Sequence, residues 1–238
     1  MKGLFIPGIT TEMFKNCCFK SIEILRTEGE IYDVDIPVVE HKKTFLKNDG
    51  WVELSSLPNG TTIKFGGIQW KILDNHFPAA DGREGVLCLA TDILFKKAFD
   101  RKNRNNWKES TLRDCLNGDF KNILAAKIFD NTLLPFKRNL LSDDGMKDYG
   151  KCIDYISIIS CDEYRKYRDY INDKPDWWWT LTPWNIPRSG TSCSALAVTA
   201  NGAFNICATF DGNNGVVPVL CVSPSLKVQV VPQDNYKL

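Results

Sequence analysis

The composition of the C-terminal quarter is the feature that most limits how this chain can fold. Between Trp177 and Ser225 the sole lysine or arginine is Arg188, while glycine, serine, threonine, alanine and asparagine are frequent. Such a stretch favours short strands joined by exposed turns, because small polar residues hydrogen-bond to nearby backbone and tolerate turn conformations. It also offers few groups for acid–base chemistry. We therefore expect this part of the chain to form a sheet that displays neutral loops.

The whole chain has the composition of an ordinary globular protein. Of its 238 residues, 43% are apolar and 25% are charged, and the formal net charge is +1. This balance allows a sizeable core but gives no basic surface, so we expect no nucleic acid partner. The apolar runs are too short to cross a bilayer, and the opening segment 1–8 is too short for a signal-peptide core. The sequence therefore predicts no signal peptide, no membrane insertion and no cofactor.

The nine cysteines and two histidines do not form a catalytic or metal motif in sequence. The cysteines lack the C-x-x-C pairs of structural zinc sites, and without a secretion signal we expect free, buried thiols. His41 and His76 have no nucleophile signature beside them, so we expect both to face solvent. We therefore predict no metal site and no catalytic residue. The cysteines are at positions 17, 18, 88, 115, 152, 161, 193, 207 and 221.

Hydrophobic periodicity divides the chain into two parts near Lys47. Residues 11–27 have helical spacing after a hydroxyl cap, and residues 31–37 alternate as in a short strand or an extended arm. Residues 1–47 are too few to build a core of their own, so we expect this helix and arm to serve in docking, oligomerisation or attachment to a larger particle. Residues 48–238 then form the ligand-binding domain.

Short strands and amphipathic helices alternate through the second part. Residues 61–73 predict a tight hairpin about Gly66-Gly67, and residues 86–89 predict a strand too apolar for a sheet edge. Residues 155–159 predict a further strand. The predicted helices, each able to cover one face of a sheet, are 110–116 ending at Asn117-Gly118, 120–129 and 161–171.

Three segments of the second part carry a recognisable pattern. They are the hairpin Phe65-Gly66-Gly67-Ile68-Gln69-Trp70-Lys71-Ile72-Leu73, the helix Trp107-x-x-Ser110-x-Leu112-Arg113-x-x-Leu116-Asn117, and the Trp-Trp…Pro segment at 178–183 that closes in Gly-Val-x-Pro at 215–218. Together they resemble a family of uncharacterised phage and prophage proteins, whose C-terminal domains are similar to C-type lectins and to the formylglycine-generating enzyme. The resemblance covers residues 50–230. It implies an α+β fold, with a C-type-lectin-like domain of mixed short strands and two or three flanking helices preceded by a small helical N-terminal module.

The resemblance also implies a source and a mode of action. Such phages commonly carry diversity-generating retroelements, which rewrite codons near the 3′ end of a gene whose product is similar to a C-type lectin fold, because a fixed sheet tolerates variable loops. Residues 189–214 would be the variable segment. The protein would be made in the host cytoplasm and could be incorporated in a phage particle. Two arginines usual in the family are replaced here by Leu181 and Val217, so their roles are not carried over.

Four tryptophans fall within eight residues, at 177, 178, 179 and 184. In a strand Trp177 and Trp179 face one side and Trp178 the other, and the large apolar area of the indole predicts that Trp178 and Trp179 belong to the core. Trp177 or Trp184 would then be exposed, to stack on a sugar ring or to anchor a protein partner. Trp184 is the better candidate, because the prolines on either side of it indicate a loop.

Polar groups in the turns that follow complete the candidate ligand-binding surface. Arg188 could hold a carboxylate or an acidic sugar through its planar fork, although residues 188–192 could equally be an ordinary solvated loop. Asn201-Gly202 predicts a type I′ hairpin, and residues 211–215 predict a second turn without the acidic ligands of a calcium site. The candidate ligand-binding residues are Trp177, Trp184, Asn185, Arg188, Ser189, Thr191, Ser192, Ser194, Asn201, Asn205, Thr209, Asp211, Asn213 and Asn214.

These features predict a ligand- or receptor-binding protein and not an enzyme. The partner of the displayed loops would be a protein or a glycan on a host or target cell surface, while the N-terminal module would serve self-association or virion attachment. Two alternatives remain open. A structural virion or assembly protein would use the same fold without a ligand face. A formylglycine-generating-type oxidase would need two of Cys193, Cys207 and Cys221 within disulfide reach at a cleft.

Overall fold

The computed structural model describes residues 51–128 and 132–232. Both ranges belong to one compact unit that begins at Trp51. The helix and arm predicted for residues 1–47 lie outside the described residues, as does His41.

The described residues form a mostly β structure, so the predicted α+β, C-type-lectin-like class is wrong. They contain fifteen strands, whereas each of their three α-helices has only five or six residues. The predicted helices are shorter than their hydrophobic spacing suggested, because each passes within two turns into a 3-10 or π turn or into a loop. The strands are β1 (Trp51–Glu53), β2 (Thr62–Phe65), β3 (Ile68–Pro78), β4 (Glu84–Ala90), β5 (Phe95–Lys96), β6 (Leu133–Leu134), β7 (Phe136–Asn139), β8 (Lys151–Asp154), β9 (Ile156–Ile158), β10 (Trp178–Pro183), β11 (Ser194–Val198), β12 (Phe204–Ala208), β13 (Gly215–Val216), β14 (Pro218–Val222) and β15 (Lys227–Val230). The helices are α1 (Thr111–Cys115), α2 (Lys121–Ala125) and α3 (Cys161–Lys166), with 3-10 turns at Leu54–Ser56, Trp107–Glu109 and Arg168–Tyr170 and a π turn at Leu116–Phe120.

The strands form two main sheets and one isolated pair. Sheet A has the order β1-β15-β2-β3-β4-β14-β6, with β9 also paired to β14, and sheet B has the order β12-β11-β10-β13-β5. Strands β7 and β8 pair with each other. Sheet A joins early and late strands, such as β1 with β15 and β4 with β14. It therefore closes only when distant parts of the chain have met, which is typical of slowly folding β proteins.

The first hairpin of sheet A confirms the local prediction. Gly66 and Gly67 have φ values of +60° and +80°, the left-handed conformations that a type I′ turn requires at both central positions. The turn aligns β2 with β3, so that Ile63 lies opposite Trp70. Strand β4 lies between β3 and β14, and every residue after Glu84 is buried, as expected for a strand that is not at an edge.

The helix predicted at 110–116 does not end at Asn117-Gly118. The Ser110 hydroxyl caps α1 by accepting the Arg113 N–H at 3.1 Å, as predicted, but the helix then continues through the π turn into α2. The Asn117 side chain explains this, because its Nδ2 donates to the Arg113 carbonyl at 3.2 Å and to the Ile156 carbonyl at 2.8 Å. The widened turn thereby ties the helix to β9.

The turn between β11 and β12 differs from the predicted type I′ turn. The Thr199 N–H donates to the Ala203 carbonyl at 2.8 Å, and the Gly202 N–H donates to the Thr199 carbonyl at 2.9 Å, so three residues close the hairpin. Gly202 has a φ of +80°, whereas Asn201 is not in the left-handed region. Asn201 and Gly202 therefore end a type I turn followed by a left-handed glycine, the common three-residue hairpin loop.

Trp178 and Trp179 are both buried, which confirms that they belong to the core. They project from opposite faces of sheet B. The Trp178 ring meets Tyr164 of α3 at 5.7 Å between centroids, and the Trp179 ring meets Phe99 at 5.7 Å. Trp179 also donates its Nε1–H to the Lys97 carbonyl at 2.8 Å. Strand β10 is thus held between α3 on one face and the 97–99 segment on the other.

Buried arginine–carboxylate pairs join the elements beside the sheets. Arg138 on β7 donates to both carboxylate oxygens of Glu163 on α3, at 2.6 and 2.5 Å. Arg113 on α1 and the Trp107 indole donate to the two oxygens of Asp154, each at 2.7 Å. Buried charges are tolerated only when they are paired and hydrogen-bonded. These pairs are therefore fixed links between the short helices and the β7–β8 pair.

Candidate functional site

The loop that joins β10 to β11, residues 184–193, carries six of the fourteen predicted ligand-binding residues, more than any other segment. Trp184 is 39% exposed although it directly follows a buried strand. The Arg188 guanidinium is exposed and lies 3.9 Å from the Asp148 carboxylate, too far for a strong hydrogen bond. The loop therefore presents an indole and an available cation together with hydroxyl groups. Its exposed predicted residues are Trp184, Arg188, Ser189 and Thr191.

A buried asparagine holds both ends of the 184–193 loop. Asn105 donates its Nδ2 hydrogens to the Asn185 carbonyl at 2.7 Å and to the Ser194 carbonyl at 2.8 Å. Its Oδ1 accepts the Tyr149 hydroxyl at 2.7 Å, and its own N–H donates to the Ser192 carbonyl at 3.0 Å. The amide thus uses its donors and its acceptor, as a buried amide must. The loop backbone is fixed by the protein before any ligand arrives.

The interior of the loop is filled by the Asn185 side chain. Asn185 Oδ1 accepts the Ser192 N–H at 3.0 Å, and Ser192 has a φ of +52°, unusual for a residue other than glycine. A Cβ atom on Gly190 would lie 2.1 Å from Asn185 Nδ2, so a larger residue there would have to displace the Asn185 amide. Asn185 and Ser192, both half-buried, therefore shape the loop, and we assign them a positioning role instead of a ligand contact.

Ser189 is anchored to the segment that precedes β8. The hydroxyls of Ser142 and Ser189 both donate to the Asp144 carboxylate. These two hydrogen bonds hold the pKa of Asp144 below its ordinary value. Ser189 nevertheless remains exposed to solvent. The loop is thus tied at its tip as well as at its ends.

The second predicted turn, residues 211–215, and the candidate residue Thr209 before it are partly internal. Thr209 is fully buried, and its hydroxyl donates to Asn103 Oδ1 at 3.0 Å and to the Cys193 carbonyl at 3.1 Å. Asn214 is buried as well. Asp211 Oδ1 accepts the Asn213 N–H at 2.9 Å, which closes the exposed part of the turn. Thr209 and Asn214 therefore stabilise the fold and are not available to a ligand in this structure.

The remaining predicted residues are spread along sheet B. Trp178 pairs with Val198, so the half-buried Trp177 and the exposed turn residue Asn201 lie at the end of β10 and β11 opposite to Trp184. The length of β10 separates the two ends by roughly 20 Å. Asn205 is exposed on β12, and the half-buried Ser194 begins β11. The structure therefore does not bring Trp177 or Asn201 to the 184–193 loop.

All seven cysteines of the described residues are free thiols. Cys193 and Cys207 are close along the β11–β12 ladder, where Ala195 pairs with Cys207, whereas Cys221 is buried on β14 of sheet A, between β4 and β6. Burial raises the pKa of Cys207 and raises the pKa of Cys221 to about 12. Both are thiols at neutral pH, which does not favour a nucleophilic role. The oxidase alternative stays a hypothesis.

Sequence reasoning missed two kinds of residue at the site. Asn105 lies about eighty positions from the loop that it holds, and no local pattern marks it. The second kind is exposed apolar side chains: Ile206 is 42% exposed and Phe210 is 62% exposed, and neither was among the candidate residues. The alternation of Phe204-Asn205-Ile206 beside a glycine turn was the available signal for an exposed strand.

His76 is exposed beside Glu84, as expected for a solvent-facing histidine.

Fold and site together define a mostly β protein that presents a braced, exposed loop at one end of sheet B. No family model matches the chain, and no curated protein or solved structure shows significant similarity to it. Within residues 51–128 and 132–232, no group of three or more histidine, cysteine, aspartate or glutamate side chains is placed to hold a metal ion. No helix in those ranges is long and apolar enough to cross a membrane.

Proposed function

We propose that this chain is a phage-encoded binding protein that recognises a glycan on a cell surface through the 184–193 loop. The observation that carries the proposal is an exposed indole and guanidinium on a loop whose backbone is held by buried side chains. Tryptophan and arginine are the residues most enriched at binding hot spots. A loop that is ordered in advance loses less conformational entropy on binding, so its contacts contribute more of their energy to affinity.

The chemistry of the loop favours a glycan over a protein partner. The Trp184 ring can stack on the apolar face of a sugar, while Arg188 and the hydroxyls of Ser189 and Thr191 can bond sugar hydroxyls or a sugar carboxylate. A stable protein interface needs roughly 800 Å² on each partner with an apolar centre. The 184–193 loop offers one half-exposed indole surrounded by polar groups, which suits a smaller and more polar ligand.

Replacing Trp184 with alanine is expected to weaken glycan binding at least about tenfold, because an aromatic hot spot is worth more than 1.4 kcal/mol. The measurement is a titration of the fluorescently labelled full chain on a microarray of bacterial surface glycans. Trp51→Ala is the matched control, because Trp51 is 44% exposed, close to the 39% of Trp184, but lies on β1 of sheet A. Arg188→Gln is expected to weaken binding to acidic glycans more than to neutral ones.

Two results would contradict this proposal. One is the absence of binding to any glycan on the array, and the other is an equal loss of binding in Trp184→Ala and Trp51→Ala. Binding to bacterial cells that survives periodate oxidation of surface sugars, but not protease digestion, would indicate a protein partner instead.

We also propose, from the family resemblance, that residues 189–214 are diversified between related phages. The burial pattern supports a specific expectation. Substitutions should cluster at exposed positions such as Thr191 and Asn213 and should spare Thr209 and Asn214, whose side chains are buried. Sequencing the same gene in sibling phages tests this. Uniform variation along the gene, or equal variation at buried and exposed positions, would contradict the hypothesis.

A further inference from the structure

Strand β12 leaves one edge of sheet B open. It pairs with β11 on one side, and no strand of the described residues pairs with its other side. It has five residues, Phe204–Ala208, and none of them is charged. The opposite end of sheet B, β5, has two residues including Lys96, and the end strand β1 of sheet A has three residues including Glu53. Proteins usually keep edge strands short or charged to prevent unwanted pairing, and β12 lacks both protections.

The register shows which backbone groups point outward from β12. Hydrogen bonds from Thr199 to Ala203 and from Thr209 to Cys193 mark the two ends of the β11–β12 ladder. Bonded residues alternate in an antiparallel ladder, so the backbone groups of Asn205 and Cys207 face β11. The N–H and C=O groups of Phe204, Ile206 and Ala208 therefore face outward, where another strand could bond to them. The Ala208 carbonyl already accepts the Asp211 N–H at 3.0 Å, so a second strand would use its other lone pair.

Apolar side chains accompany this open edge. Ile206 is 42% exposed, and Phe210, two residues beyond the end of the strand, is 62% exposed. Exposed apolar groups beside unpaired backbone favour association, because pairing would bury both. No charged residue of β12 would lose its hydration in the process, so a partner strand would meet little desolvation cost.

We propose that two copies of this chain pair antiparallel through β12, with the two-fold axis at Ile206. This register places Phe204 opposite Ala208 of the second copy, a large residue against a small one, and aligns the outward backbone groups of both strands. It also suits the charges at the strand ends. The Arg165 guanidinium lies 5.0 Å from the Phe204 ring centroid, and Asp211 follows Ala208 by three residues. Antiparallel pairing brings the Arg165 end of one copy to the Asp211 end of the other.

One side chain competes with this pairing. Asn205 Oδ1 accepts the N–H of Ile206 at 2.8 Å. In the monomer this bond already satisfies the N–H donor at the centre of the proposed β12–β12 interface. The amide must turn away before a second strand can accept that hydrogen. This competition weakens the pairing, so the fraction of dimer should rise with protein concentration. It would also place two 184–193 loops on one particle, although the pairing itself does not depend on what those loops bind.

Sedimentation velocity of the full chain, without any glycan, tests the proposal. The wild type is expected to form a dimer within a series from about 1 to about 100 µM, where a modest interface is half-populated. Ile206→Lys is expected to weaken the dimer at least about tenfold, because two lysines would lie directly opposite each other at the axis. An equimolar mixture of Ile206→Lys and Ile206→Glu is expected to restore association, since opposite charges then meet. Ile153→Lys on β8, where the isoleucine is 54% exposed, is the matched control and should associate like the wild type.

The mixture of Ile206→Lys and Ile206→Glu distinguishes loss of a specific β12–β12 contact from a folding defect. Neither variant should associate with itself, so association of the mixture requires both to be folded. A wild type that stays monomeric over the whole series would overturn the proposal. So would an Ile206→Lys variant that associates like the wild type, or a mixture that stays monomeric. None of these outcomes depends on the glycan array, so the dimer and the binding function succeed or fail separately.

Discussion

Replacing Arg138 with leucine is expected to lower the free energy of unfolding by about 3–5 kcal/mol at pH 7, the cost of breaking a buried ion pair from one side. Arg138 is almost fully buried and donates to both oxygens of Glu163 and to the Ile158 carbonyl at 2.9 Å. Leucine fills part of the space but leaves the Glu163 carboxylate without its cation. The measurement is urea denaturation of the variant and the wild type.

The pH dependence of this loss follows from the state of Glu163. Burial alone would raise the pKa of Glu163, but Arg138 and the Ser160 hydrogen bonds hold it below its ordinary value. The pair therefore stabilises the fold above the ordinary glutamate pKa and loses that contribution as the pH falls. The difference between the wild type and Arg138→Leu should accordingly shrink from pH 7 towards pH 4.

Arg165→Leu is the control for this experiment. Arg165 lies on the same helix as Glu163 but is exposed, and it pairs with Asp162 at 3.0 Å on the surface. Exposed ion pairs contribute little, so the loss should stay below about 1 kcal/mol. Equal losses in Arg138→Leu and Arg165→Leu would show that the buried pair has no special role.

Replacing Lys174 with methionine is expected to stabilise the protein by roughly 2–3 kcal/mol at pH 7, because it removes a buried charge without an ion pair. Lys174 is buried, and its Nζ donates to the Asn172 carbonyl at 3.2 Å and lies 5.8 Å from the Trp178 ring centroid. The charges of Asp92 and Asp173 favour the ammonium form but offset only part of the effect of burial. Methionine has a similar length and adapts to irregular space, so it should fill the site.

The gain from Lys174→Met should depend on pH in a defined direction. Burial lowers the pKa of Lys174 to about 8, while the unfolded chain keeps the ordinary value of 10.5. Below pH 8 both states are charged and the full cost of burying the charge is present. Between pH 8 and 10.5 the folded state loses its proton first, so the wild type gains stability relative to the variant. The advantage of the variant should therefore fall over that range.

Urea denaturation at several pH values, with Lys151→Met as the control, measures this effect. Lys151 is exposed on β8, so its replacement should change stability little and with no step between pH 8 and 10.5. A Lys174→Met variant that is less stable than the wild type at pH 7 would show that the ammonium group has a favourable partner in the folded protein.

Local features of this fold were predictable where neighbouring residues decide the structure. Gly66 and Gly67 accept the positive φ values of a tight turn, so the β2–β3 hairpin followed from two residues and the alternation beside them. Ser110 caps α1 by bonding a backbone group three residues away. The continuation of the helix past Asn117 could not be predicted in this way, because it depends on a bond to Ile156 in a strand that arrives later in the chain.

The candidate site was predictable only in part. The prolines around Trp184 marked a loop, and the loop is exposed. Thr191 and Thr209 have the same side chain and both lie just outside strands of sheet B, yet one is exposed and the other is buried against Asn103. That difference arises from a contact between residues 106 positions apart, which local composition does not encode.

The sequence by itself determined the short strands, the tight glycine turn, the burial of Trp178 and Trp179 and the neutral character of the C-terminal loops, because each depends on the size, polarity or backbone freedom of adjacent residues. Only the tertiary structure decided that sheets, and not helices, dominate the fold. It also decided that Asn105 braces the 184–193 loop and that β12 has an open edge. These features depend on which distant strands and side chains meet, and that is set by the packing of the whole unit.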